Sequence, residues 1–133
     1  MPRILIVDDD IHLRQVIEEL LTIRGHQVFL AENGKSALGI IQRERIELVI
    51  TDILMPDMDG YELITALRML PAPPRIIAMS GGSGRLDSEY LLRVAQSMKV
   101  DKLLSKPLKL ATIDAAISEV LGLGATVRQT GAE

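Results

Sequence analysis

Residues 4–10 read ILIVDDD, four aliphatic side chains followed directly by three aspartates. A short, unbroken apolar run is typical of a strand that is covered on both faces in a parallel sheet. Residues 48–51 and 76–79 have the same character. We therefore predict that these three strands are central. The shorter or more polar segments 27–31 and 102–105 are predicted to be strands nearer the edges of the sheet.

The segments between the strands carry a helical period. After Asp10, apolar residues recur at the spacing of one helix face and polar residues fill the other. Asp10 stands where a side chain caps a helix, and Gly25 lies just beyond its end. Similar patterns predict further helices at about residues 35–44, 60–70, 87–98 and 111–121.

Strict alternation of strands and helices with short connections requires right-handed crossovers and a parallel sheet with helices on both faces. The predicted fold class is therefore α/β, and 133 residues suffice for one domain. In open sheets of this kind, ligands bind beyond the carboxyl ends of the strands.

Composition argues against several classes of protein. The net charge is −3 and only 2% of residues are aromatic, so neither the basic surface nor the stacking platforms of a nucleic-acid binder are present. The absence of cysteine excludes disulfides and thiolate metal sites. The apolar run at 4–7 is too short for a signal peptide or a membrane span. We expect a cytoplasmic protein with no direct nucleic-acid or membrane contact.

Polar residues directly follow four of the five predicted strands: Asp8 and Asp9 follow the first, Asp52 the third, Ser80 the fourth and Lys106 the fifth. Because parallel strands end at one edge of the sheet, these side chains are predicted to converge. Three ionised carboxylates in one place repel one another and must take up protons or bind a cation. Oxygen ligands favour a hard ion such as Mg²⁺, or Mn²⁺. A carboxylate beside such an ion and a lysine can attack phosphorus to form an acyl phosphate.

The strings ILIVDDD, TDILMPDMDG, IIAMSGG and LLSKPL, in this order, resemble the response-regulator receiver family. The resemblance spans residues 2–121, and residues 122–133 are expected to form a flexible C-terminal tail. It implies a flavodoxin-like fold with strand order 2-1-3-4-5, an arrangement that has a receiver protein among its standard examples.

The resemblance also implies roles for individual residues. Asp52 would be the phosphoacceptor, and Asp9 a direct ligand of Mg²⁺. The backbone carbonyl of Leu54 would complete the metal shell, and Asp8 would act through a coordinated water. Ser80 and Lys106 would contact the phosphoryl group, and a cis peptide bond would join Lys106 to Pro107.

Two departures from the family pattern affect the predicted switch. Leu103 stands where the family usually has an aromatic residue whose rotamer follows phosphorylation. Gly81 and Gly82 follow Ser80, so the backbone there is permissive. We predict that activation is read out mainly by the loop at 80–84 and the start of the fourth helix.

The implied function is a signalling switch that receives its phosphoryl group from a sensor histidine kinase or a histidine phosphotransfer protein. Its chemistry would be self-catalysed phosphotransfer and autodephosphorylation, without conventional enzymatic turnover. No effector domain is expected after residue 121, so output would pass to a protein target through the fourth helix, fifth strand and fifth helix. Such a protein would act as a monomer or as a phosphorylation-dependent dimer.

Other interpretations remain open at this point. The chain could be a pseudo-receiver that docks without being phosphorylated, or an aspartyl-phosphate hydrolase, although hydrolases of that type carry a DxD string that is absent here. The three strand-end aspartates could also be ordinary turn residues. Four other residues that could bind a metal are interpreted as caps, loop residues or surface histidines, namely Asp57, Asp59, His12 and His26. The glycines at 81–84 lack the string of a phosphate-binding loop.

Overall fold

The computed structural model describes residues 2–53, 60–80 and 96–122. The strands are β1 (Arg3–Val7), β2 (Gln27–Ala31), β3 (Leu48–Asp52), β4 (Arg75–Ser80) and β5 (Lys102–Ser105). The helices are α1 (Ile11–Ile23), α2 (Gly34–Arg43), α3 (Gly60–Arg68), α4 (the helical residues 96–98) and α5 (Leu110–Leu121). None of the helices in these ranges is long and apolar enough to cross a lipid bilayer.

The five strands form one parallel sheet in the order β2-β1-β3-β4-β5. The predicted α/β class and flavodoxin-like strand order are therefore confirmed, with β2 and β5 at the edges. Two predicted strands ended one residue too early, because Asp52 and Ser80 are the last residues of β3 and β4. Most of the helix predicted at 87–98 lies outside the described residues.

The hydrophobic core has two layers, one on each face of the sheet. Leu5 and Val7 of β1 face α2 and α3, whereas Ile4 and Ile6 face α1 and α5. All four of these side chains are fully buried. The unbroken apolar run of β1 thus reflects helices on both faces, and each such side chain contributes roughly 1.5–3 kcal/mol by its burial.

The boundaries of α1 follow from side-chain capping. The carboxylate of Asp10 accepts hydrogen bonds from the backbone N–H groups of His12 and Leu13 at 2.9 and 3.3 Å. It satisfies two amides that have no partner within the helix. At the other end Gly25 adopts φ +87°, a left-handed conformation that favours glycine. The predicted cap and the predicted stop of this helix are both confirmed.

Gly60 fixes the start of α3 against the end of β3. Its N–H donates to the carbonyl of Ile53 at 2.8 Å. A Cβ atom added to Gly60 would lie 2.0 Å from the carbonyl oxygen of Asp52 and 2.6 Å from the Cα of Ile53. A side chain is therefore excluded by close backbone approach, and α3 begins directly beside the residue that ends the central strand.

Candidate functional site

Three carboxylates meet at the carboxyl edge of the sheet. One oxygen from each of Asp8, Asp9 and Asp52 lies within 4.8 Å of the others. Asp8 and Asp52 are buried, with 0% and 5% of their surface exposed, whereas Asp9 is exposed. The convergence predicted from the sequence is present, because β1 and β3 are adjacent parallel strands that end at the same level.

Lys106 joins two of these carboxylates. Its Nζ lies 2.8 Å from Oδ2 of Asp52 and 3.1 Å from Oδ2 of Asp8. Burial lowers the pKa of Lys106, but its hydrogen bonds to Asp52 and Asp8 and their negative charges outweigh that effect, and the pKa is raised overall. The ammonium group therefore stays charged. It directly follows β5, and the peptide bond between Lys106 and Pro107 is cis.

Burial makes the ionised form of the Asp8 carboxylate unfavourable. Desolvation by burial raises its pKa, and the negative charge of Asp52 adds to the increase. A hydrogen bond from the backbone N–H of Asp10 to Oδ1, 2.8 Å long, and the charge of Lys106 oppose this effect without cancelling it. The cluster thus holds negative charge that one ammonium group does not neutralise.

The turn between β1 and α1 is held by Arg14 as well. The guanidinium of Arg14 donates to the backbone carbonyl of Asp8 at 2.6 Å, and the N–H of Asp8 donates to the carbonyl of Ala31 at 3.2 Å. Arg14 was missed in the sequence, where it counts as one of the polar residues on the outer face of the helix. Its position in the first turn is the signal that could have found it, because helical side chains point toward the N-terminus.

Ser80 completes the described part of the site on β4. It is 4% exposed and pairs in register with Ser105 of β5, and the two hydroxyl oxygens are 3.5 Å apart. Its carbonyl accepts a hydrogen bond from the N–H of Lys106 at 2.9 Å. Leu103 is partly buried and packs against the core on the α2 and α3 side. Ser80 and Lys106 are therefore held next to each other by strand pairing.

Several residues named in the sequence analysis fall outside the described ranges: Leu54, Asp57, Asp59 and the glycines at 81–84. His12 is exposed. His26 is partly buried, and its Nδ1 has no hydrogen-bond partner among the residues that are described. Neither histidine belongs to the carboxylate cluster.

The donor set fits a hard divalent cation. It consists of oxygens from three carboxyl groups, two of which are buried, and these three groups share one ammonium group. Carboxylates held this close are stabilised by a cation, and all-oxygen sites with an exposed side suit Mg²⁺. Asp8, Asp9 and Asp52 are the described residues that could hold such an ion.

Comparison with known proteins identifies the family of this chain. The family described as "Response regulator receiver domain" matches residues 4–118. Sporulation initiation phosphotransferase F of Bacillus subtilis is 32% identical over 121 residues, which cover 91% of this chain and 94% of that protein. The transcriptional regulatory protein AfsQ1 of Streptomyces coelicolor is 30% identical over 124 residues, covering 93% of this chain and 53% of the regulator.

Among solved structures, the chemotaxis protein CheY4 of Vibrio cholerae is similar, with a TM-score of 0.81 and 28% identity over 90% of this chain and 98% of that chain. The chain spans about half the length of AfsQ1, and less of some other transcriptional regulators that it matches. On the match to the family over 4–118 and the similarity to these relatives, the chain belongs to the response regulator receiver domain family.

Proposed function

We propose that this chain is the phosphoacceptor of a two-component or phosphorelay system and that Asp52 accepts the phosphoryl group. The contact that carries the proposal is the ammonium group of Lys106 held 2.8 Å from the carboxylate of Asp52. A cation in this position can neutralise charge on the oxygens of a group being transferred to that carboxylate. Membership of the receiver family supports the same assignment.

The proposed step is transfer from a phosphohistidine. An oxygen of Asp52 forms a bond to phosphorus while the bond between phosphorus and the donor imidazole nitrogen breaks. The nitrogen keeps the electron pair of the broken bond and takes up a proton. Hydrolysis reverses the modification when a water molecule attacks phosphorus, releases inorganic phosphate and restores the carboxylate of Asp52. The protein is a switch with self-catalysed chemistry and has no conventional turnover.

In this proposal Mg²⁺ would be held by Asp9, Asp52 and the carbonyl of Leu54, with Asp8 acting through water. A bound ion supplies positive charge next to the transferring phosphoryl oxygens. Lys106 supplies the second positive charge and orients Asp52 before the donor arrives. Ser80, already buried beside Lys106, donates its hydroxyl hydrogen to a phosphoryl oxygen.

The signal then passes to a protein surface. We assign the output to the fourth helix, β5 and α5. We assign the readout mainly to the loop at 80–84 and the start of the fourth helix, because Leu103 lacks the ring of the usual aromatic switch. The donor would be a sensor histidine kinase or a histidine phosphotransfer protein; the relative in B. subtilis is itself named a phosphotransferase. We further propose a cytoplasmic receiver domain at 2–121, acting as a monomer or a phosphorylation-dependent dimer. Apart from Gly122, the tail predicted at 122–133 lies outside the described residues.

The test is to incubate the protein with Mg²⁺ and a small phosphodonor and to measure its intact mass. The wild type should gain one phosphoryl group, and Asp52→Asn and the wild type in excess chelator should gain none. The same adduct on Asp52→Asn would refute the assignment, and no adduct on the wild type would favour a pseudo-receiver. Continuous release of phosphate from generic phosphomonoesters would instead indicate a hydrolase.

A further inference from the structure

Arg14 makes a short contact with the backbone of the acidic cluster. Its guanidinium lies 2.6 Å from the carbonyl oxygen of Asp8, and its side chain is partly buried. Hydrogen bonds from a charged donor are shorter and stronger than neutral ones, and this contact is slightly shorter than the usual range for an N–H donor and an oxygen acceptor. The contact joins the first turn of α1 to the residue that directly follows β1.

The Asp8 residue is thereby held at three atoms besides the Oδ2 that accepts from Lys106. Its N–H donates to the carbonyl of Ala31, its carbonyl accepts from Arg14, and its Oδ1 accepts from the N–H of Asp10. Two of these bonds fix the backbone on either side of its Cα, so they set the direction in which the side chain leaves. They also fix the start of the turn that carries Asp9.

The positive charge of Arg14 and its hydrogen bond to Asp8 should have opposite effects on the binding of a metal ion. A guanidinium group close to the cluster repels a divalent cation, so removing its charge should strengthen metal binding. Loss of the hydrogen bond should weaken metal binding, because ligands held by outer partners bind metal about 10- to 100-fold more tightly than ligands whose partners are removed. The sign of the change therefore separates the two effects.

We propose that Arg14 is a positioning residue of the acidic cluster, and that it clamps the Asp8 carbonyl so that the Asp8 and Asp9 carboxylates converge on Asp52. This inference rests on the proposed function in so far as the cluster binds Mg²⁺. We expect the hydrogen bond to outweigh the repulsion, because three carboxylates share one ammonium group and still attract a divalent cation when the Arg14 guanidinium is bound to the Asp8 carbonyl.

The experiment compares the wild type with Arg14→Met and Arg14→Lys. In the absence of metal, the N–H of Asp10 should exchange with solvent roughly two- to tenfold faster in Arg14→Met, because the turn that holds its acceptor is looser. The dissociation constant for Mg²⁺ should rise about tenfold in the same variant. Arg14→Lys keeps the positive charge, so only the hydrogen bond can differ from the wild type. Any weakening of Mg²⁺ binding in that variant should therefore be accompanied by faster exchange at Asp10.

Arg24→Met is the matched control. Arg24 caps the far end of α1 and its cation pairs with Asp114 at 2.7 Å. This variant loses the same charge, and both the Asp10 exchange rate and the Mg²⁺ affinity should stay at their wild-type values. If Arg14→Met does not fold, Arg14→Lys carries the comparison.

Tighter or unchanged Mg²⁺ binding by Arg14→Met would overturn the inference, as would an unchanged exchange rate at Asp10. So would an Arg14→Lys protein with wild-type exchange but weakened Mg²⁺ binding. A wild type that binds no Mg²⁺ would refute the proposed function instead, and the exchange measurement on the metal-free variants would still decide whether Arg14 clamps the turn.

Discussion

The ammonium group of Lys106 lies 2.8 Å from Asp52 and touches Asp8 at 3.1 Å as well. The ammonium group of the residue after β5 thus binds two carboxylates, one directly after β1 and one at the end of β3. Asp8 and Asp52 are 44 positions apart along the chain, and Asp52 and Lys106 are 54 positions apart. Their contact depends on the complete sheet, so the stability of the fold and the state of the site are linked.

Replacing Lys106 with methionine should destabilise the metal-free protein by roughly 2–4 kcal/mol, because two buried carboxylates lose their shared partner. Phosphorylation by a small donor should also slow by about a hundredfold. Urea unfolding and the rate of mass gain measure the two effects. Lys102→Met is the control, since Lys102 pairs with Glu119 on the surface at 3.0 Å and its loss should cost about 1 kcal/mol or less. Equal losses in the two variants would contradict this prediction.

Replacing Asp8 with asparagine should stabilise the metal-free protein near pH 7 by on the order of 1 kcal/mol, because the buried carboxylate no longer has to be ionised. The folded-state pKa of Asp8 is raised, so wild-type stability is lost as the pH rises through that pKa. The advantage of Asp8→Asn should therefore shrink as the pH falls. Added Mg²⁺ should stabilise the wild type more than the variant.

Asp114→Asn makes the same chemical change at a surface ion pair with Arg24. It should lower stability slightly at neutral pH, whereas Asp8→Asn should raise it. A destabilised Asp8→Asn protein at neutral pH, measured by denaturant unfolding without metal, would show that the Asp8 carboxylate is favourable there.

Gly60→Ala should destabilise the protein by roughly 2–4 kcal/mol, because the added methyl group overlaps backbone atoms of Asp52 and Ile53 that cannot move independently of β3. Gly39→Ala is the matched control within α2, where the nearest atom to a new Cβ is the flexible end of Arg43 at 3.5 Å. That change should stabilise the protein by about 0.5–1 kcal/mol. Thermal unfolding of both variants tests the prediction, which fails if they shift in the same direction.

His26 should make stability depend on pH in the mildly acidic range. Burial lowers its pKa in the folded state, with a partial opposing effect from Asp114. A lowered pKa means that the unfolded chain binds the proton more tightly, so stability is complete above about pH 6.5 and decreases as the pH falls below it. His26→Gln should lose this component of the pH dependence. His12→Gln, at an exposed position, should keep it, and identical profiles for all three proteins would contradict the assignment.

Much of the fold could be predicted from local pattern alone. The aliphatic runs at β1, β3 and β4 indicated strands buried on both faces, and the polar edge segments indicated β2 and β5. Because all five strands run parallel, the aspartates that follow or end β1 and β3 had to arrive at one edge. The helix at α1 was equally local, since Asp10 caps it and Gly25 ends it. The order of the strands came from family resemblance, because periodicity carries no information about which strands are neighbours.

Only the tertiary structure decided which atoms meet. It buried Asp8 while leaving Asp9 exposed, and it gave Lys106 two carboxylate partners. It also turned Arg14 back onto the Asp8 carbonyl and brought the backbone of Gly60 against β3. Periodicity places a residue on a face, but a distance between side chains depends on how separate segments pack. The sequence by itself therefore determined the α/β class and the carboxylate-bearing edge, and packing determined the charge balance and geometry of the site.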